Sequence, residues 1–247
     1  MTTQYSPKFY AIVPAAGVGS RMKADLPKQY LKLHDKTILE HTVERLLEHP
    51  CIDKVIIAIS DGDEYFSDLP LASNDNVICV SGGSERADSV ISGLDYLLYV
   101  AEKPDAWVLV HDAARPCFHL TDINNLIKEA TATGSVGGIL AAPVRDTMKR
   151  SDLSGSIDKT VERENLWHAL TPQMFKVQPL YHALKGAKKA GIRITDEASA
   201  MEWKGCKPKL VAGRSDNIKI TQPEDLALAA FYLGEISSLN KNGCNRI

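Results

Sequence analysis

The sequence predicts an α/β fold, a doubly wound and mostly parallel sheet built as a single domain over residues 1–247. Three observations predict it. Continuous β-branched runs such as Val55-Ile56-Ile57-Ala58-Ile59 and Trp107-Val108-Leu109-Val110 suit parallel strands covered on both faces. Segments of helical periodicity separate these runs, so the connections are crossovers. Each strand end runs into small or polar residues, the place where ligands bind in such sheets.

The first strand carries Ala11-Ile12-Val13 and ends at Pro14-Ala15-Ala16-Gly17-Val18-Gly19-Ser20-Arg21-Met22, with Pro27-Lys28-Gln29 shortly after. Two glycines with flanking cations suit a loop whose main-chain N–H groups close around an anion. The ordinary alternative is a β-turn with solvated Arg and Lys. Spacing excludes a P-loop, which needs Lys-Ser/Thr directly after its last glycine. A dinucleotide fingerprint would need Gly or Ala where Met22 stands.

Thr37 and Glu40 form a capping box that starts a helix lined by Ile38, Leu39, Val43 and Leu46 and ended by Pro50. Strands follow at 55–59 and Val77-Ile78-Cys79-Val80. The latter runs into Ser81-Gly82-Gly83-Ser84-Glu85-Arg86-Ala87-Asp88-Ser89. A helix carrying Val90, Ile91, Leu94, Leu97 and Leu98 leads to the strand 107–110, which ends in His111-Asp112-Ala113-Ala114-Arg115-Pro116. A helix at 121–131 and a strand at 137–142 complete this half.

Residues 144–165 break the pattern. They are polar and basic, with a Ser154-Gly155 turn between two extended runs, and read either as a hairpin that buries little of itself or as a solvated loop. Trp167 to Gln173 leads into a helix near 180–190. A short helix opens at Thr195-Asp196-Glu197-Ala198, and 210–211 and 218–220 read as strands. Thr221 with Glu224 is a second capping box, starting a helix through Leu233. The tail 240–247 is predicted to be disordered.

Composition limits the functions available. A net charge of -2 with 24% charged residues provides no global basic field for nucleic acid, so any anion site is local. The five cysteines are scattered and include no Cys-x-x-Cys, which argues against a structural zinc and a disulfide framework and suits reduced thiols in the cytoplasm. The polar start and the short apolar run broken by Pro14 predict neither a signal peptide nor a membrane span.

Taken together, Ala-Ala-Gly-x-Gly-x-Arg-Met and Pro-Lys-Gln-Tyr resemble the nucleotidyltransferases that couple a nucleoside triphosphate to a phosphorylated sugar or polyol. His-Asp-Ala-Ala-Arg-Pro, Ala-Pro-Val-Arg-Asp-Thr, Thr-Asp-Glu-Ala-Ser-Ala and Asn-Ile-Lys-Ile-Thr-x-Pro-Glu-Asp narrow the resemblance to the 2-C-methyl-D-erythritol 4-phosphate cytidylyltransferases. The resemblance implies a Rossmann-like nucleotidyltransferase fold. It further implies CTP and a polyol phosphate as substrates, Mg²⁺ as cofactor, and a homodimer in which 144–165 is an arm embracing the partner. It assigns Arg21 and Lys28 as catalytic cations, and Ala15, Ala16, Gly17 and Gly19 as a main-chain cradle for the triphosphate. Gly83, Ser84 and Ser89 would hold the base, although some members carry an acid where this chain has Ser84.

Arg115, Thr147, Arg163 and Lys219 are expected to bind the acceptor, with Arg163 reaching from the partner. Asp112 is the expected metal ligand and Asp216 the other candidate. Lys23 is read as solvated, His111 as structural and Asp88 as a helix cap. A phosphate monoester is already ionised near neutral pH, its second pKa being about 6, so transfer to it needs cations and no base. A ribitol 5-phosphate cytidylyltransferase shares the loop and differs in acceptor contacts, whereas a catalytically silent nucleotide-binding regulator would keep the loop but lose the cations Arg21, Lys28 and Lys219, all present here.

Overall fold

The computed structural model describes residues 8–17, 22 and 26–243, with 237 and 239–243 described by their backbone alone. In chain order its elements are β1 (Phe9–Pro14), β2 (Lys32–Leu33), β3 (Lys36–Thr37), α1 (Ile38–Leu47), β4 (Ile52–Ile59), β5 (Val77–Ser81) and α2 (Arg86–Asp95). They continue with β6 (Trp107–Val110), α3 (Leu120–Ala130), β7 (Gly138–Pro143), β8 (Met148–Ser151), β9 (Ile157–Val161) and β10 (Trp167–Lys176). The last are α4 (Val177–Lys189), α5 (Glu197–Trp203), β11 (Lys209–Ala212) and α6 (Asp225–Gly243).

Seven strands form one sheet in the order β11-β7-β10-β6-β1-β4-β5. All neighbours are parallel except β10, which runs antiparallel to both β6 and β7. The alternation of the strands explains the two covered faces. Ala11, Val13, Val55 and Ile57 point into a core shared with α1 and α3, whereas Ile12 and Ile56 point into one shared with α2, α4 and α5. Both sets are fully buried, and each such side chain contributes about 1.5–3 kcal/mol relative to leaving it exposed. A third cluster, with Met22, Ile38, Ala114, Ile220 and Leu233, docks α6.

The chain runs outward from β1 through β4 and β5, then returns to place β6 on the other side of β1. The strand order therefore reverses at β1, and a crevice opens beyond its carboxyl end. Two helices are held at that crevice by local features. α1 is capped as expected, Thr37 Oγ1 accepting from Glu40 N (3.1 Å) and Glu40 Oε2 accepting from Thr37 N (2.7 Å). α2 lies close on β1 because Gly93 faces Ile12; a Cβ at that glycine would sit 2.9 Å from two Ile12 carbons.

Several expectations are corrected. Residues 167–176 form the long strand β10, which the sequence reading passes over as a connection because Pro172 sits inside it and its pairing shifts register between Ala169 and Gln173. Residues 218–220 form no strand; they are a loop fixed by Ile220 N donating to the Ala114 carbonyl (2.9 Å). The final helix begins at Asp225, whose Oδ2 accepts from Thr221 N, Thr221 Oγ1 and Gln222 N, so Asp225 and not Glu224 answers Thr221. That helix runs past Leu233 to Gly243, so residues 240–243 are helical, and 244–247 lie outside the described residues. The segment 144–165 is a hairpin, β8 against β9, with Met148 opposite Val161. Its tip is closed by Asp152 Oδ1, which accepts from Ser154 N and Ser156 N.

Candidate active site at the carboxyl edge of the sheet

The residues after β1 are fixed by their neighbours before any ligand is considered. Ala15 N donates to the Ala58 carbonyl (2.7 Å), Ser60 Oγ to the Ala16 carbonyl (2.7 Å), and the buried Gln29 Nε2 to the Ala15 carbonyl (2.6 Å). Lys28 sits on a short 3₁₀ turn, and its Nζ donates to the Ile220 carbonyl (3.1 Å). Opposite, Gly83 N donates to Ser89 Oγ (3.2 Å), and the Ser84 and Asp88 side chains meet at the start of α2. A cleft of about 170 Å³ lies between the two loops, lined by Ala15, Ala16, Lys28, Gly83, Asp112 and Lys219 among others.

At its floor Asp112 is nearly buried and held by three cations. Arg86 Nε reaches Oδ1 at 2.9 Å, while Lys219 Nζ and Arg115 Nε reach Oδ2 at 2.8 and 3.4 Å. Burial alone would raise this carboxyl, but Arg86, Lys219 and Arg115 hold it well below the usual carboxylate range. Arg86 is itself anchored by Glu197 of α5, accepting at 2.6 and 3.1 Å with a side chain only 1% exposed. Behind Asp112, its N–H donates to Thr171 Oγ1 (3.1 Å), Thr171 Oγ1 meets His111 Nδ1 (2.9 Å), and His111 Nε2 meets the Arg115 carbonyl (2.9 Å). A carbonyl can only accept, so this chain assigns the proton to Nε2 and leaves Nδ1 to accept from the threonine. Burial pushes the imidazole pKa down to about 4, so it is neutral scaffold, as the sequence suggested.

Known proteins resemble this chain in sequence and in fold. The model of the 2-C-methyl-D-erythritol 4-phosphate cytidylyltransferase family matches residues 9–235. The chain belongs to that family. The enzyme of this name from Vibrio atlanticus is 61% identical over 95% of this chain and 99% of its own, and that from Vibrio cholerae 63% identical over 90% and 95%. The crystal structure of the Francisella tularensis 2-C-methyl-D-erythritol 4-phosphate cytidylyltransferase superposes with a TM-score of 0.78 at 36% identity, covering 91% of this chain and 99% of that one. A crystal structure of 4-diphosphocytidyl-2C-methyl-D-erythritol synthase gives a TM-score of 0.80 at 36% identity, with 92% and 99% covered.

On this cytidylyltransferase fold, the residues singled out in the sequence fall in several places. Ala15, Ala16, Gly17, Lys28, Gly83, Ser84, Ser89, Asp112 and Lys219 converge on one cleft, and Arg115 borders it beside Thr171. Thr147 and Arg163 are exposed at the root of the hairpin and line neither cavity of their own chain. Arg21, Gly19 and Lys23 lie outside the described residues. Asp216 is drawn away from the cleft by Arg214 (2.6 Å) and His119 (3.4 Å). Asp88 does serve the start of α2, accepting from Glu85 N.

Sequence reasoning passed over Arg86, Glu197, Thr171 and Gln29. An arginine within Ser-Glu-Arg-Ala-Asp reads as a surface charge, and its partner Glu197 lies 111 residues away. Glu197 itself, inside Thr195-Asp196-Glu197-Ala198, reads as a first-turn acid of the short helix with Arg193 four residues before it.

Among the described residues no group of three or more His, Cys, Asp or Glu could cage a metal. Asp112 turns its carboxylate to the cleft with both oxygens engaged by cations, Oδ1 by Arg86 and Oδ2 by Lys219 and Arg115.

Proposed function

We propose that this cleft holds CTP between the Ala15–Gly17 loop and the Gly83 loop, places the acceptor phosphate by Arg115 and Lys219, and joins them without a general base. The chain is a cytidylyltransferase: it transfers the cytidylyl group of CTP to 2-C-methyl-D-erythritol 4-phosphate in isoprenoid biosynthesis, with pyrophosphate as the other product. The observation that carries the site reading is Asp112 among Arg86, Arg115 and Lys219, with Lys28 lining the same cleft. Such a site is built to gather phosphates, and His111, buried and hydrogen-bonded at both nitrogens, is not available as a base.

In this reading an acceptor phosphate oxygen attacks the α-phosphorus in line. The new P–O bond forms as the bond to the bridging oxygen of the β-phosphate breaks, and pyrophosphate leaves with that electron pair. Arg21 and Lys28 neutralise the charge that builds on the pentavalent phosphorus. Lys28 exchanges the Ile220 carbonyl for the triphosphate, a trade of a neutral acceptor for an anionic one that strengthens the bond. Lys219 and Arg115 hold the acceptor at the attacking distance, a positioning contribution. Magnesium, held by Asp112, would add charge neutralisation on the phosphate oxygens.

The hairpin supplies the remaining acceptor contacts to a second copy. Leu153 is fully exposed and Ile157 is 68% exposed, an apolar tip with nothing to cover it on its own subunit. Thr147 and Arg163 would enter the partner's cleft, so the active unit is a homodimer with exchanged arms. The enzyme works in the cytoplasm in this reading; no helix among the described residues is long and apolar enough to cross a membrane.

Pyrophosphate release from CTP and Mg²⁺ tests the assignment, with native protein and Lys28→Ala, and with 2-C-methyl-D-erythritol 4-phosphate or ribitol 5-phosphate as acceptor. Turnover with the former alone, falling by about 10²–10³ in the variant, is expected from the loss of one transition-state cation. Native turnover in Lys28→Ala would remove the loop from the catalytic site.

A further inference from the structure

The Ser84 hydroxyl has one proton to give and two lone pairs to offer. Its Oγ lies 3.1 Å from Asp88 Oδ2, which also takes the Glu85 N–H at 3.4 Å. An ionised carboxylate has no proton to donate, so the hydroxyl must donate to it. What Ser84 retains for other partners is lone pairs.

The arrangement is braced from outside the cleft. Lys188, in the last turn of α4 and 100 residues further along the chain, pairs with the other oxygen of Asp88. That ammonium is the leading reason the Asp88 carboxyl lies below the usual range, with Ser84 and Glu85 adding to it. Gly83 rests directly on the same side chain: a Cβ there would meet the Asp88 Cβ at 2.1 Å, so loop and carboxylate are in register. Ser84 thus stands between the catalytic cleft and a second cavity of about 620 Å³, which Asp88 and Lys188 line.

We propose that Lys188 and Asp88 set the base specificity of this enzyme by making the Ser84 hydroxyl an obligate acceptor, which favours a base edge that donates over one that accepts. The exocyclic amine of cytosine donates, and the corresponding oxygen of uracil accepts. The inference rests on the reading that the base lies at the Gly83 loop. Neither Asp88 nor Lys188 touches the nucleotide in it; both are positioning residues that act through Ser84.

The test compares kcat/KM for CTP and for UTP, with 2-C-methyl-D-erythritol 4-phosphate as acceptor, in native protein, Ser84→Ala, Asp88→Asn and Lys188→Ala. An asparagine amide can donate to Ser84 Oγ, which frees the hydroxyl proton to meet an accepting base. The CTP preference is expected to fall roughly five- to tenfold in Ser84→Ala and Asp88→Asn, the share of one hydrogen bond, and about two- to threefold in Lys188→Ala. A loop that had merely loosened would weaken both nucleotides alike and leave their ratio unchanged.

A reduced preference in Ser84→Ala with the native ratio in Asp88→Asn would overturn the relay and leave the base placement standing. Native ratios in both would overturn the two together, and a native enzyme that used UTP as well as CTP would do the same. Should Asp88→Asn fail to fold, Lys188→Ala decides: its side chain is 56% exposed at a helix end, and an unchanged ratio there would refute the bracing role.

Discussion

Replacing Glu197 tests whether the cleft depends on a carboxylate that never reaches it. Glu197 is fully buried and accepts two hydrogen bonds from the Arg86 guanidinium, which in turn holds Asp112 Oδ1. In Glu197→Gln one of the two oxygens becomes an NH₂ that faces N–H donors, and the charge opposite Arg86 is lost. Breaking a buried pair from one side costs about 3–5 kcal/mol, because the remaining charge is left without its counter-ion. Arg86 is 28% exposed and keeps Asp112, which places the expected loss near the lower end, about 3 kcal/mol. For a domain of this size that is a fall in Tm of roughly 6–12 °C.

Chemical denaturation followed by circular dichroism gives the free energy, and a thermal scan gives the midpoint. Glu197→Asp keeps the charge but shortens the reach, and is expected to lose less. The acceptor KM should rise in Glu197→Gln as the anchor of Asp112 loosens. A loss below about 1 kcal/mol, the range of an exposed pair, would refute the reasoning, since Arg86 would then be adequately solvated without its buried partner.

Two further outcomes follow from the same geometry. His111 has its pKa lowered from 6.5 to about 4 by burial, so the unfolded chain binds this proton more readily; about 3 kcal/mol of stability, present above pH 6.5, should be lost as pH falls toward 4. Comparing the pH dependence of urea midpoints in native protein and His111→Gln checks this, the variant showing the shallower decline over that window. Gly83→Ala drives a Cβ to 2.1 Å from that of Asp88, so the loop must shift at a cost of about 1–3 kcal/mol. Steady-state kinetics should show KM for CTP rising about tenfold or more in Gly83→Ala.

The parts of the fold that could be read from sequence are those whose neighbours in space are implied by local pattern. β1, β4 and β6 could be read because a strand covered on both faces must be apolar throughout, and the α1 cap because its two partners are three residues apart. β10 was missed because its role is set by the strands on either side and Pro172 disguises it. Ile218 and Ile220 look like a strand for the opposite reason: they are apolar to fill the α6 cluster, with no ladder to join.

The site divides in the same way. The loop residues that line the cleft, glycines and cations, stand out in sequence. Those that hold the cations stand in distant segments: Thr171 reaches Asp112 because β10 lies beside β6, and Glu197 reaches Arg86 because α5 packs on α4, which packs on α2. Asp88 was recognised as a cap, but its pairing with Lys188 depends on where α4 ends.

The central claim, that two chains build each cleft from Lys28 of one and Arg163 of the other, is tested most directly by mixing two inactive variants. Lys28→Ala and Arg163→Ala are purified separately, dissociated together and reassembled, and pyrophosphate release is measured. If the arms are exchanged, half of a mixed dimer's clefts carry both native residues, and random reassembly restores about a quarter of native activity. If Arg163 serves the cleft of its own chain, no cleft in the mixture is complete and activity stays at the level of the separate variants, which would contradict the account.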